Sequence, residues 1–353
     1  MLTEVAATQA AVPAGSAGER HVPLALVTRG NVVESVHCGS VAVVDRAGGV
    51  LYSAGDPAFL TMTRSALKPF QAMPFVAGGG IERFGYSTAQ VALLCASHSG
   101  EARHVEAVAD MLARAGNAAG DLRCGTHAPG HYEAWGEIPP PPPYSPLAHN
   151  CSGKHSGMLA YCVQCGLPKD GYLDFDHPLQ RSIRGAVAHF TSTPEHALVV
   201  GIDGCSAPNY AVPLAKLAQA FARLASTGVD DAEFGNAPRV LADAMTKHPE
   251  MVSGERRTDL ELTRAGRGDW VAKIGAEGVQ AIGLRTAGVG IAIKVADGNK
   301  RVLRPVIAAV LDQLGLIDAD RRSALTEWFE PLIHNYRGIA TGSLRAAVVL
   351  DKK

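Results

Sequence analysis

Strand-forming patterns occupy both ends of this chain and helical spacing fills the stretch between them, which limits the folds open to it. Residues 22–52 are rich in valine and are broken at Arg29-Gly30-Asn31 and at Asp45-Arg46-Ala47-Gly48-Gly49. Turn residues placed this way predict two or three antiparallel strands joined by tight turns. Apolar residues then recur at helical spacing over 65–76, 88–96, 104–115, 153–165, 178–189, 211–224 and 238–247. Strands return at 279–284 and 288–294, helices follow at 304–314 and 320–329, and 344–350 reads as a last strand. The simplest packing joins the N- and C-terminal strands in one antiparallel sheet packed with helices, beside a mainly helical lobe. The expected class is α/β, of the α+β type. A sheet lobe over 21–64 and 270–353 and a helical lobe over 65–269 then form a single unit, 21–353. Ligand sites favour such lobe boundaries.

Composition removes several functions. With 353 residues, 47% of them apolar and 19% charged, the chain can bury a sizeable core. A net charge of −1 supplies no basic footprint, so neither nucleic acid nor an anionic membrane surface is an expected partner. No apolar run reaches the roughly 18 residues that a spanning helix needs. Residues 1–20 lack the basic start and apolar stretch of a secretory signal, and are expected to be a disordered leader on a cytoplasmic protein. Seven scattered cysteines, an odd number, argue for reduced thiols rather than a disulfide framework. The five prolines at 139–143 predict a stiff, extended surface loop.

The chemistry begins at Arg64-Ser65-Ala66-Leu67-Lys68-Pro69. Residues three apart share a helix face, so Ser65 and Lys68 can stand side by side. A lysine that is neutral enough can accept the serine proton and make a nucleophile. Pro69 suits the first turn of a helix, whose positive end disfavours a lysine cation and favours an oxyanion. Taken alone the motif is common, and a capped helix with a solvated lysine explains it as well. Two more pieces follow in order: Ala96-Ser97-His98-Ser99-Gly100, and Lys273-Ile274-Gly275 just before the returning strands. Ser-x-x-Lys, Ser-x-Ser and Lys-x-Gly together resemble the three-part signature of penicillin-binding proteins and serine β-lactamases. His98-Ser99 departs from its Asp-Asn, and Ile274 from its threonine.

A second cluster pairs Asn150-Cys151-Ser152-Gly153-Lys154-His155 with Gly201-Ile202-Asp203-Gly204-Cys205, about fifty residues on. By residue type, Cys151, His155 and Cys205, with Asp203 as a further candidate, could form a zinc shell. Lysine binds metal only as the neutral amine. The alternative is that both thiols are small buried apolar groups. Cys162-Val163-Gln164-Cys165 lies in an apolar helical run with no matching pair, so core packing is expected there.

Taken together, Met62-Thr63-Arg64-Ser65-Ala66-Leu67-Lys68-Pro69-Phe70-Gln71-Ala72 and four later blocks resemble the signatures of the rhizobial-type (class 3) asparaginases of the asparaginase II family. Those blocks are Cys95-Ala96-Ser97-His98-Ser99-Gly100-Glu101, His149-Asn150-Cys151-Ser152-Gly153-Lys154-His155, Gly201-Ile202-Asp203-Gly204-Cys205 and Lys273-Ile274-Gly275-Ala276-Glu277-Gly278. The likeness spans nearly the whole chain after about His21. It implies hydrolysis of L-asparagine to L-aspartate and ammonia, by a homodimer whose fold is similar to serine β-lactamases and glutaminases. Carried over by motif, Ser65 is the nucleophile and Lys68 its base, and Ser97 with Lys273 forms a second serine–lysine pair. The resemblance implies Zn2+ on Cys151, Lys154 and Cys205, with water completing the shell, and moves His155 to the substrate side with His98. Asp203 is implied to hold the substrate amino group and Arg64 its carboxylate. One departure is the lack of any cysteine over 251–263, where some relatives carry one. The competing expectations are another Ser-x-x-Lys hydrolase, such as a glutaminase or β-lactamase-like enzyme, a zinc-water hydrolase, and a zinc-stabilised binding protein without activity.

Overall fold

A computed structural model describes residues 20–353 apart from 227 and 229. The leader expected over 1–20 therefore lies, except for Arg20, outside the described residues.

One large antiparallel sheet organises the molecule. Its strands are β1 (Val22–Arg29), β2 (Val32–Asp45), β3 (Val50–Ala54), β7 (Trp270–Gly275), β8 (Val279–Leu284), β9 (Val289–Val295), β10 (Leu332–His334), β11 (Ala340–Ala346) and β12 (Asp351–Lys352). The order runs β10-β11-β1-β2-β9-β8-β7, with β3 also on β2 and β12 on β3. N- and C-terminal strands thus share one mixed α/β architecture, as expected. Three short strands, β4 (Leu60–Met62), β5 (Val199–Ile202) and β6 (Pro208–Pro213), form a second sheet in the order β4-β6-β5.

Alternation along β2 explains why both faces of the main sheet are covered. Ala42 and Val44 join one buried cluster, with Phe70, Phe190 and Phe221. Val41 and Val43 join the other, with Val306, Ile307, Val310 and Leu311 of the helix Leu303–Gln313. Successive side chains point to opposite faces, so a strand sandwiched between helices must be apolar at nearly every position. All six residues of β8 are buried accordingly.

Small residues let the helix Leu214–Ala225 lie directly on the first face. Gly283 and Gly290 are register partners on β8 and β9. A Cβ at Gly290 would stand 1.9 Å from the Ala218 carbonyl oxygen, and one at Gly283 would stand 2.3 Å from that of Phe221. Because the obstacle is backbone rather than a movable side chain, Gly290→Ala is expected to destabilise the fold by about 3 kcal/mol or more. Urea unfolding measures it, and a loss below about 0.5 kcal/mol would mean that the helix can shift.

Several segments differ from their sequence patterns. The helix expected over 211–224 begins only at Leu214, because Ala211 and Val212 pair with β5 and β4 before Pro213 starts the helix. Lys273 was expected just ahead of the strands and instead lies inside one, β7, the end strand of the sheet path. A buried lysine hides that strand, since Trp270-Val271-Ala272-Lys273 shows no clean alternation. The strand expected over 344–350 also ends early, at Ala346, and a two-residue strand, β12, follows it. Among the described residues no helix is long and apolar enough to cross a membrane. Cys162 is buried in the helix Ser152–Cys165 and Cys165 is exposed at its end.

Candidate active site

Ser65 reaches its place through a tight turn. Strand β4 ends at Met62 and leads into a 3-10 turn, Arg64–Leu67, which passes directly into the helix Lys68–Ala77 with Pro69 in its first turn. Three residues per turn eclipse positions i and i+3, which brings the Ser65 and Lys68 side chains to the same side. The turn starts from Arg64 in a left-handed conformation, φ 49°. A non-glycine residue there costs about 1–3 kcal/mol and persists only when its surroundings enforce it. Asn209 on β6 does so. Its Oδ1 accepts from the Arg64 N–H at 2.9 Å, and its Nδ2 donates to the Arg64 carbonyl at 3.0 Å. Sequence inspection passed over Asn209; its position four residues beyond Cys205 was the only pointer.

Lys68 is buried and its amine donates to three groups: Ser97 Oγ at 3.0 Å, the Asn150 carbonyl at 3.4 Å, and the Ala96 carbonyl. Among the described residues no hydrogen bond links Lys68 to Ser65. The Ser97 loop is itself pinned, with Ser97 N–H donating to the Val252 carbonyl at 2.9 Å and His98 N–H to that of Asn150 at 3.2 Å. Ser65, Ser97, Asn150, Gly275, Ala276 and Arg257 line one cleft of about 460 Å3. Among the described residues, the backbone N–H groups of Ser65 and Ala276 have no intramolecular acceptor.

Lys273 stands behind this cleft, fully buried, with Nζ 3.3 Å from Asp259 Oδ2 and 2.8 Å from the Ile274 carbonyl. Burial brings its ammonium down to about 8, with Asp259 opposing that fall and Lys68 adding to it. Its hydrogen bonds go to Asp259 and Ile274, while Ser97 is bonded by Lys68. The serine–lysine contact therefore crosses between the two expected pairs. Asp259 is fixed by two further donors, the Ile274 N–H at 2.9 Å and Gln280 Nε2 at 3.1 Å. Neither Asp259 nor Arg257 had been singled out from the sequence.

The expected substrate-binding residues are engaged elsewhere. Arg64 Nε donates to Asp203 Oδ1 at 2.9 Å, so the implied carboxylate and ammonium binders hold each other. The Asp203 carboxyl is held low: burial raises it, but the Gly204 N–H and Arg64 outweigh that. His98 is buried, with Nε2 2.9 Å from Ser152 Oγ and Nδ1 accepting from the Gly100 N–H at 3.1 Å. Both of its nitrogens thus have partners within the loop region. Burial drives its pKa well below the usual histidine value. His155 is also fully buried and outside the cleft lining, and its Nδ1 is 2.7 Å from the Tyr172 hydroxyl.

Cys151, Lys154 and Cys205 do come together. All three are buried, Lys154 Nζ is 3.0 Å from Cys205 Sγ, and the Cys151 and Cys205 thiols interact. The Cys151 thiol lies well below its usual pKa because of that interaction with Cys205, which outweighs burial and is aided by Lys68 and Lys154. Two convergent sulfurs and an amine suit a soft divalent ion. His155 adds a supporting detail. Its buried Nε2 has no hydrogen-bond partner among the described residues, and Tyr172 fixes the opposite nitrogen as metal-bound imidazoles usually require. Among the described residues no group of three His, Cys, Asp or Glu side chains could hold a metal, so the donor set depends on Lys154.

The fold and the cleft define a mixed α/β protein with paired buried lysines beside two serines. Residues 25–346 match the family model described as L-asparaginase II, and the chain belongs to that family. No curated protein matches it. Its fold is similar to a crystal structure of Mglu in its native form, at 18% identity and a TM-score of 0.36, over 80% of this chain. The match spans 62% of the Mglu chain. A β-lactamase from Mycobacterium bovis is similar at 15% identity and a TM-score of 0.41, over 78% of this chain and 94% of that one.

Proposed function

We propose that this protein hydrolyses L-asparagine to L-aspartate and ammonia through a seryl ester on Ser65. The observation that carries the proposal is the buried Lys68 amine, 3.0 Å from the Oγ of Ser97, which lines one cleft together with Ser65. Lys68 receives the Ser65 proton as Ser65 Oγ attacks the side-chain amide carbon. The Ser65 and Ala276 N–H groups hold the oxyanion. Collapse of the tetrahedral adduct breaks the C–N bond, and Lys68 returns its proton through Ser97 to the departing ammonia. Water then adds to the ester, giving its proton to the same pair, which passes it to Ser65 Oγ as the C–O bond breaks and aspartate leaves. Lys273, paired with Asp259, sets the charge at the back of the cleft.

Zinc held by Cys151, Lys154 and Cys205 would supply a fixed positive charge and cross-link the helix Ser152–Cys165 to the segment following β5. In this proposal the chain's own serine remains the nucleophile.

Ammonia release from L-asparagine and L-glutamine by the wild type and by Ser65→Ala tests the reaction. Turnover of neither amide by the wild type would reject it. Lys68→Met removes the base and is expected to lower kcat by about 10²- to 10⁴-fold, and near-normal turnover would reassign the base. Because Lys68 bonds Ser97 rather than Ser65, a second reading makes Ser97 the nucleophile. Mass spectrometry of an acid-quenched reaction identifies the acylated peptide and decides between the two serines.

A further inference from the structure

With Arg64 tied to Asp203, the cleft needs another cation for a substrate carboxylate. Arg257 lines both the cleft of about 460 Å3 and an adjoining cavity of about 250 Å3. The neighbouring cations are engaged: Lys300 by Glu133, Arg304 by Glu261, Arg301 by His37, and Arg256 stacked 3.9 Å over Trp135. Among the described residues Arg257 has no carboxylate within ion-pair distance.

Two independent features share this corner. Arg257 is the N-cap of the nine-residue helix Thr258–Gly266, and no side chain caps its first N–H groups. Such an end attracts anions. The acidic residues of its first turn are already occupied, Asp259 by Lys273 and Glu261 by Arg304 and Trp328. Ser253 lines the same cavity, is 1% exposed, and among the described residues its hydroxyl has no hydrogen-bond partner. A buried hydroxyl without a partner carries a desolvation cost that a ligand oxygen would relieve. The corner is also bolted to the reacting loop. Ser97 N–H donates to the Val252 carbonyl at 2.9 Å, and Ser99 Oγ to the Ser253 carbonyl at 2.8 Å.

We propose that Arg257, the Ser253 hydroxyl and the open end of the helix Thr258–Gly266 form the subsite for the α-carboxylate of the amino-acid substrate. The inference rests on the asparagine reading above and states how the cleft selects a free α-carboxylate. A single unpaired guanidinium matches a monoanion and can grip it through two parallel N–H bonds.

The test compares L-asparagine with its α-methyl ester, reading ammonia, in the wild type and in Arg257→Gln, Arg257→Lys and Ser253→Ala. Arg257→Gln is expected to lower kcat/KM for L-asparagine about 10- to 100-fold, mainly through KM, while leaving the ester unchanged. Arg257→Lys should recover part of the loss, and Ser253→Ala should raise KM several-fold. Equal loss on both substrates, or an unchanged KM for L-asparagine, overturns the subsite while leaving the asparaginase reading intact. Calorimetric binding of L-aspartate separates the two claims. Arg257-dependent binding in a wild type that releases no ammonia keeps the subsite and removes the reaction. No turnover together with no aspartate binding removes both. Thermal unfolding of each variant identifies a folding failure, in which case Arg257→Lys decides by the same KM criterion.

Discussion

Ser65→Ala is expected to lower kcat on L-asparagine by at least about 10⁴-fold while leaving the fold intact. The size of the effect follows from the bond that Ser65 Oγ forms. Loss of a nucleophile leaves only binding and the oxyanion donors, and serine hydrolases then lose about 10⁴- to 10⁶-fold in kcat. Stability should barely change, because Ser65 lies in the cleft wall and its hydroxyl makes no hydrogen bond among the described residues. The backbone that places it is held by Asn209 rather than by its own side chain. Ser97→Ala is expected to be milder in kcat and to affect stability more, since Ser97 Oγ accepts from the buried Lys68. Comparable losses of kcat in both serine variants, with unchanged binding of L-aspartate, would show the two hydroxyls working as one unit. Activity retained in Ser65→Ala would move the reaction to Ser97 or to metal-bound water.

Asp259→Ala is expected to destabilise the protein by about 3–5 kcal/mol at neutral pH, because it leaves the buried Lys273 ammonium without its partner. Asp259 is 1% exposed and Lys273 0%, so solvent screens the pair little. The pH dependence gives an independent check. Folding brings Lys273 to about 8, below the roughly 10.4 of an unfolded lysine. Between those values the unfolded chain binds more protons, so this group makes stability rise with pH. Below about pH 8 the lysine is charged in both states and its contribution is flat. Lys273→Met should remove the alkaline rise, and Asp259→Ala should start it at lower pH because the raising influence is gone. Urea unfolding from pH 7 to 10 reads both effects, and parallel curves for wild type and Lys273→Met would contradict the assignment. A stability loss under about 1 kcal/mol in Asp259→Ala would mean that the lysine is already neutral there.

The candidate site was legible in the sequence wherever its residues fall within short runs. Ser65 and Lys68 are three residues apart, and local turn geometry alone aligns them. Cys151 and Lys154 are likewise one helical turn apart, within the segment that opens the helix Ser152–Cys165. Partners far apart in the chain were not legible. Lys68 could have served either serine on spacing alone; the bond to Ser97 exists because the loop after the helix Thr88–Leu94 passes the Lys68 amine. Asp259 shows no motif, and it matters only because β7 brings Lys273 against the helix Thr258–Gly266.

The sequence by itself determined most of the element types (though not strands β4 to β7), the sharing of one antiparallel sheet by both chain ends, and the order of the serine–lysine blocks. These follow from side-chain periodicity, turn residues and the placement of proline, which act within a few positions of the backbone. Tertiary structure alone decided that Arg64 is spent on Asp203, that His98 shapes a loop, and that Arg257 has no carboxylate partner among the described residues. Ion pairing depends on which charges meet after folding, and Arg64 and Asp203 are separated by 139 positions in the chain. Buried charges seek the nearest partner the fold supplies, so a site's charge pattern emerges only when its elements have packed.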